Sequence, residues 1–399
     1  MVGTSLSEAR RGKFYRPQTA VTASKEGHVM DCRMQRKIVA LATLVYVVGG
    51  YAYSAGPELV SAAAHTGARA PARVLHFPQD GSVGTVRVQD EGLFIPETVK
   101  GFHPGYVYAE SEYLASAQGE VGIPAGKRVF LSVEGVDATR QHCQAALKAL
   151  DPNALYSLMF PLPTFIDDDL MRSVVRLREL RELRLPHASL TPKGWTMLAQ
   201  LPRLERLYTP EGMSDAAMAQ IANVQSLKVL NVAPNKMTNA GLASLARLSR
   251  LEILHLEGAP TMTDDGLKAL TALGSLHHLR LSSGPFTDRG MEHLAAIPSL
   301  RVLWVDPGKI TDAGLQRLAR SKSIERLNLH WVDTITDRGV AYVKGMPQLK
   351  GLDVGHATLS DASLELLATM PNLDWLSLPN TGLSLQSWLH GRLNLISLT

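Results

Sequence analysis

The chain has 399 residues, 45% of them hydrophobic and 20% charged, a balance ordinary for a soluble globular protein. Its length accommodates two domains, or one solenoid with an appendage. The formal charge of +4 is small, and part of it sits in residues 1–37, which argues against the concentrated basic surface that nucleic-acid binding requires.

Residues 1–37 mix Ser, Thr, Lys and Arg without periodicity and are assigned as a disordered basic leader. Ile38 to Tyr53 (IVALATLVYVVGGYAY) then carries no charge and comes directly after Arg33, Arg36 and Lys37. At roughly 16 residues it is shorter than the ~20 of a bilayer-spanning helix. It suits the apolar core of a secretory signal, with small residues following at Ala52, Ser54 and Ala55. Residues 38–55 are therefore assigned as a signal peptide or membrane anchor, with a buried core helix as the bland alternative. A start at Met34 would give a compact signal; N-terminal sequencing that finds Met1 would exclude it. Positive charge ahead of the segment places the rest of the chain outside the cytoplasm, whether secreted, periplasmic or anchored facing outward. Cys32 and Cys143 lie on opposite sides of it, which argues against a structural disulfide and leaves the redox compartment undetermined.

Residues 56–152 form a second pattern, a small β-rich domain. Arg73 to Phe77 and Val83 to Val88 cluster β-formers around the turn residues Pro78, Asp80 and Gly81. Gly122 to Gly126 marks a turn before a further strand over Arg128 to Val133. Asp137 to Leu150 turns helical, with Cys143, Ala146 and Leu147 on one stripe. This unit is expected to abut and cap a repeat array that begins near Leu155, because the end of such an array exposes apolar surface. His76, His103 and His142 are too scattered in it to form a ligand set.

From Leu155 onward the sequence repeats about every 24 residues, in about ten copies. Each copy reads LxxLxL, a stretch of small residues, then an apolar residue before T-D-x-G-L-x-x-L. A clear copy runs Leu300, Leu303, Val305, Ile310, then Thr311 to Leu315 and Leu318; Leu227, Leu251, Leu276 and Ile324 open others in register. Looser copies open at Leu155, Leu180, Leu204, Leu349 and Leu373. The fourth and sixth positions are two apart, as inward-pointing residues of a strand must be, so the fifth faces outward. The Thr caps a helix and the Asp sits at its positive end; Pro192 fits the first helical position equally well. Leucines three and four apart bury that helix on the strand layer. No unit buries its leucines alone, so stacking builds the core and a parallel sheet.

These motifs, over roughly Leu155 to Leu383, resemble the leucine-rich-repeat family, in the TDxGL-rich form common in bacterial secreted proteins and similar to the cysteine-containing subtype. The resemblance implies an α/β solenoid: a curved parallel sheet with helices on its convex side, spanning residues 153–399. The family's ladder position after the strand, often Asn or Cys, is here Ala188, Gly212, Asn235, Gly284, Gly308, Ala357 and Thr381. A continuous side-chain ladder is therefore expected to be absent, leaving those turns to backbone or water. Trp388 and Leu393 to Leu398 are the only material for a C-terminal cap.

The resemblance implies a binding module on the concave face. The fifth-position column reads Arg184, Tyr208, Asn231, His255, Arg280, Trp304, Asn328, Asp353 and Ser377, with Arg181, Arg206, Lys228, His277, His278, Arg301, Arg326 and Trp375 beside it. Tyr, Trp and Arg are the residues binding hot spots favour. The candidate contact residues are Arg184, Tyr208, His255, Arg280, Trp304, Asn328 and Trp375. Trp304 stands out, because a structural strand needs no tryptophan directed at solvent. Drift on a solvated sheet surface is the competing explanation. His255, His277, His278 and His330 lie on adjacent strands, but no cysteine or carboxylate spacing supports a zinc site. Asp167, Asp168 and Asp169 fall where Thr-Asp falls in other copies, which makes them a helix start rather than a metal site. No G-x-S-x-G, phosphate-cradling glycine loop or H-E-x-x-H occurs. The expectation is a non-enzymatic, cofactor-free, extracytoplasmic module that binds a protein or peptide. The alternatives are an envelope-associated glycan receptor or adhesin-like protein stacking sugars on Trp304, Tyr208 and Trp375, and, a distant third, an enzyme whose chemistry lies in the N-terminal unit. Nucleic acid is not an expected partner, and a membrane is one only through residues 38–55.

Overall fold

A computed structural model describes residues 73–90, 111–133, 140–161, 166–306 and 308–383, all within one compact unit, Ala68–Thr399. The leader, the apolar segment 38–55, His103, Trp388 and Leu393 to Leu398 lie outside the described residues. Among the described residues no helix is long and apolar enough to cross a membrane.

The LxxLxL copies form strands β6 (Ser157–Met159), β7 (Glu182–Arg184), β8 (Arg206–Glu211), β9 (Val229–Ala233) and β10 (Ile253–Glu257). They continue as β11 (His278–Ser282), β12 (Val302–Asp306), β13 (Arg326–Asn328), β14 (Gly351–Asp353) and β15 (Trp375–Ser377). Neighbours pair in parallel with equivalent positions aligned, so that Leu254, Leu279, Leu303 and Leu327 form one row and His255, Arg280, Trp304 and Asn328 the next. The leucine rows are fully buried and belong to one apolar core that runs from Leu75 to Leu378. The fold is thus an α/β leucine-rich solenoid built on a parallel sheet.

The β-rich preface contributes to the same sheet. Strand β5 (Lys127–Ser132) pairs in parallel with β6, and β2 (Thr85–Asp90) and β3 (Glu112–Ser116) add antiparallel strands beyond it. The described sheet therefore has 13 strands and passes through residue 152 unbroken. Val86, Val129 and Leu131 cover the apolar end of the first repeat. Strands β1 (Arg73–His76) and β4 (Glu120–Ile123) form a separate antiparallel pair, so the turn expected at Gly122 begins only after Ile123. Helix α1 (Arg140–Ala149) buries Cys143, Ala146 and Leu147, the stripe read from its sequence.

Short helices return the chain between strands: α2 (Asp168–Val174), α3 (Pro192–Met197), α4 (Asp215–Ile221), α5 (Asn239–Leu245) and α6 (Asp264–Leu267). They continue as α7 (Asp288–Ala295), α8 (Asp312–Leu318), α9 (Asp337–Val343) and α10 (Asp361–Ala368). The triple aspartate starts α2, where the Asp167 carboxylate accepts from the amides of Asp169 and Leu170.

The helix starts also carry a side-chain ladder, separate from the position after the strand where none was expected. The Asp288 carboxylate accepts from both the amide and the hydroxyl of Thr311 in the next repeat, each at 2.7 Å. The same pair of bonds joins Asp168 to Thr191, Asp215 to Thr238, Asp264 to Thr287, Asp312 to Thr336 and Asp337 to Ser360. Asn239 substitutes with one bond reversed: its Oδ1 accepts from the Thr263 backbone amide as an Asp does, while its Nδ2 donates to the Thr263 hydroxyl oxygen. Thr311 then accepts from the Ala313 amide, so one hydroxyl serves as rung and cap together. The ladder exists; it runs through Thr-Asp rather than through the turn after the strand.

This explains the glycine of T-D-x-G. A Cβ on Gly290, Gly314 or Gly339 would press into the carboxylate of Asp264, Asp288 or Asp312. Where Pro192 removes the carboxylate, the next repeat carries Ala217 in place of the glycine. After Asp337 the position is Ser363, whose hydroxyl donates to that carboxylate.

Candidate functional site

The sheet face turned away from the helices carries the third and fifth strand positions, and it does not repeat. Arg184 lies 4.0 Å over the Tyr208 ring and donates from Nε to Glu182 at 2.6 Å. Arg280 lies 4.3 Å over Trp304. Asn328 donates to Asp353 at 3.0 Å, and Asp353 also accepts from the Gly355 amide and pairs with His330 at 3.3 Å. Trp375 stands half-buried beside Gly351 at the far end.

The sequence led us to expect an open, solvated fifth-position column. Instead Arg184, Tyr208, His255, Asn328 and Asp353 are buried, while Asn231, Arg280, Trp304 and Ser377 are half-buried. Parallel strands hold equivalent residues about 4.8 Å apart, and side chains of this size close over one another at that spacing. Trp304 accordingly lies beneath Arg280 rather than standing in solvent.

At the centre, His255 and His278 place their rings 5.0 Å apart. Burial drives the His255 pKa down to about 3, helped by the charges of His278 and Arg280. His278 falls to about 4, again by burial first, then through His277 and Arg280. Both rings are therefore neutral near pH 7, each with one donor and one acceptor nitrogen. Neither ring nitrogen of His255 has a hydrogen-bond partner among the described residues, nor has Nδ1 of His278, Nε of Arg280 or the Ser282 hydroxyl. Those groups come from β10 and β11, next to Trp304 on β12. His277 is separate, pairing with Glu252, and His330 belongs to the Asp353 group.

The second-position column neutralises itself over much of its length. Arg181 pairs with Glu205 at 2.7 Å, Arg301 with Glu325 at 3.5 Å, and Lys350 with the same Glu325 at 2.8 Å. These cations are structural rungs of a charged rim.

Trp331 is the feature the strand template missed. It is 56% exposed, stacks on His356 at 3.9 Å with the rings 20° apart, and has His330 edge-on at 5.2 Å. Trp331 and His356 occupy a turn position with φ of 65° and 69°, where Gly258 has 77°. A bulky residue in the left-handed region is strained, and such strain marks functional positions. The available signal was a Trp at the register position of a turn glycine, two residues beyond the last strand leucine.

The repeats, the register and the sheet define a leucine-rich-repeat fold. A family profile described as Leucine Rich repeat matches residues 225–246. Among solved structures, an internalin (inlF) of Listeria monocytogenes is similar, with 21% identity, coverage of 65% of this chain and 75% of that one, and a TM-score of 0.47. Internalin C2 of the same organism has 22% identity over 59% of this chain and 83% of its own, with a TM-score of 0.37. The Rad7 and Elc1 complex of yeast has 14% identity over 67% and 80%, with a TM-score of 0.42. No curated protein matches the chain. The fold is typical of protein–protein interaction modules, and the ligand has to be argued from this chain's own face.

Proposed function

We propose that the protein is a non-enzymatic binding module that docks a protein partner on the outer sheet face, centred on His255, His278, Arg280 and Trp304. One observation carries this reading: buried polar atoms without partners gather on adjacent strands, beside a Trp–Arg stack. Unpaired buried polar groups each cost roughly 1–3 kcal/mol, so their concentration in one patch calls for a ligand that completes them. Neutral imidazoles, a guanidinium and a hydroxyl suit the mixed donors and acceptors of a peptide surface, with the Trp304 and Ile253 region as apolar anchor. The exposed Trp331 stack extends the contact area toward the ends of β13 and β14. The extracytoplasmic address belongs to this proposal and is supported by the basic residues ahead of the 38–55 segment.

The test is parallel affinity capture with the full chain, its Arg280→Ala/Trp304→Ala variant and an Arg289→Gln control. A specific partner held by the wild type and the control but lost from the double variant supports the reading, provided the variants keep the wild-type melting temperature. Capture undiminished by the double variant overturns it. Binding of an oligosaccharide with the same Trp304 dependence would replace protein by glycan on the same face.

A further inference from the structure

A second surface feature lies away from the His255 patch, at the end of the sheet where the preface meets the first repeats. Arg73 of β1, Arg128 of β5, Arg206 of β8, and Arg181 and Lys228 from the turns before β7 and β9 line a hollow of about 530 Å³. Among the described residues, two carboxylates, Glu179 and Glu205, share its walls. Both are engaged: Glu179 by Arg203, and Glu205 by Arg181 at 2.7 Å and Lys228 at 3.8 Å.

The remaining cations are held in place. Arg73 donates to the Lys127 carbonyl at 2.9 Å, and Arg128 lies 4.7 Å over the Tyr156 ring. The Arg206 side chain is only 16% exposed and faces Glu182 at 3.6 Å. Five cations from five chain segments thus converge on one hollow with a surplus of positive charge. Farther along the rim the rows alternate in sign, as at Arg301, Glu325 and Lys350. Assembling partly desolvated like charges is unfavourable unless an anion joins them, because burial weakens screening.

We propose that this hollow is an anion-binding site, and that its ligand is a small molecule bearing a phosphate or diphosphate group. Four of the five cations are arginines, whose planar fork pairs with phosphate oxygens two at a time. The volume lies in the range of small-molecule pockets and exceeds what a bare inorganic ion fills. The Tyr156 ring and the Leu155 and Ala154 wall give the body of such a ligand an apolar surface. The site is independent of the docking face, since no residue is shared.

Isothermal titration of the full-length protein with pyrophosphate at low ionic strength tests it, alongside Arg128→Gln, Lys228→Gln and the surface control Arg289→Gln. The expected result is saturable one-to-one binding that either hollow variant weakens about tenfold or more and the control leaves unchanged. Two variants on opposite walls keep the test decisive if one fails to fold. Absence of saturable binding, or equal weakening by Arg289→Gln, overturns the site. Citrate binding as tightly as pyrophosphate overturns the phosphate assignment.

Discussion

The two long edges of this solenoid obey opposite rules. At the helix starts nearly every repeat does the same thing: an Asp or Asn receives the next Thr or Ser, and a glycine or serine accommodates it, the exception being Pro192 with Ala217 after it. On the outer sheet face adjacent repeats carry different residues at the fifth position, and several of the groups they present are large, polar and in part unsatisfied. Uniformity marks the interactions that stack one repeat on the next, because each interface poses the same geometric problem. Variation marks the surface that stacking does not determine. Binding is accordingly sought where the repeat stops repeating.

The largest effect should come from pH, acting on the variable face. His255 and His278 have folded-state pKa values of about 3 and about 4, below the ordinary imidazole value. As pH falls below ~6.5 the unfolded chain takes up protons that the folded state refuses, so stability is complete above that pH and declines toward pH 4. The loss is about 1.4 kcal/mol per pH unit per imidazole. Urea unfolding at pH 6.5 and 4.5 should show about 3–5 kcal/mol more acid loss in the wild type than in His255→Gln/His278→Val. Equal losses would mean that carboxylates alone set the acid sensitivity, and the central patch would lose its distinctive character.

Gly290→Ala probes the uniform edge. Its methyl group would collide with the Asp264 carboxylate and displace the bonds to Thr287, at a cost of about 3 kcal/mol in chemical denaturation. Adding Asp264→Ala should relieve the collision, so that the double variant is no less stable than Asp264→Ala alone, as the Pro192 and Ala217 pairing does naturally. A simply additive double variant would show that the glycine serves some other purpose.

Asp288→Ala removes two charge-assisted bonds to Thr311 and should cost about 2 kcal/mol, whereas Asp288→Asn, the arrangement found at Asn239, should cost under about 1 kcal/mol. If the two variants are alike by differential scanning calorimetry, the ladder contributes charge at the helix start rather than specific bonds.

The smallest effect is expected at Trp331. Glycine there relieves a left-handed backbone worth roughly 1–2 kcal/mol and gives up a ring stack worth roughly 0.5–1.5. Trp331→Gly should therefore melt within a few degrees of the wild type. A loss approaching the ~3–5 kcal/mol of a core tryptophan would make Trp331 structural and remove it from the contact surface.

Much of this fold was legible because it rests on local periodicity. Leu254, Leu279 and Leu303 could be placed in one buried row from spacing alone, and Thr-Asp or a close variant of it marked the helix starts. The ladder escaped because a carboxylate beside a helix start accounts for itself through the helix dipole, and nothing local shows that its second partner lies some 23 residues on, as Asp288 and Thr311 do. Of the candidate contact residues, His255, Arg280 and Trp304 come together at the centre of the face. Arg184, Tyr208 and Asn328 are absorbed into stacks and hydrogen bonds with their neighbours, and Trp375 stands apart at the last strand.

The sequence by itself determined the solenoid: its period sets the strand and helix in each turn, and its leucines force the turns to stack. Tertiary structure decided which outward residues remain available to a partner, because availability depends on what the next strand places alongside. It also decided that the β-rich preface extends the repeat sheet, since strand pairing joins segments by shape and hydrogen bonding, without a signature in either segment alone. The cationic hollow arises at that same junction, where Arg73 and Arg128 meet Arg181, Arg206 and Lys228 across more than 100 residues of chain.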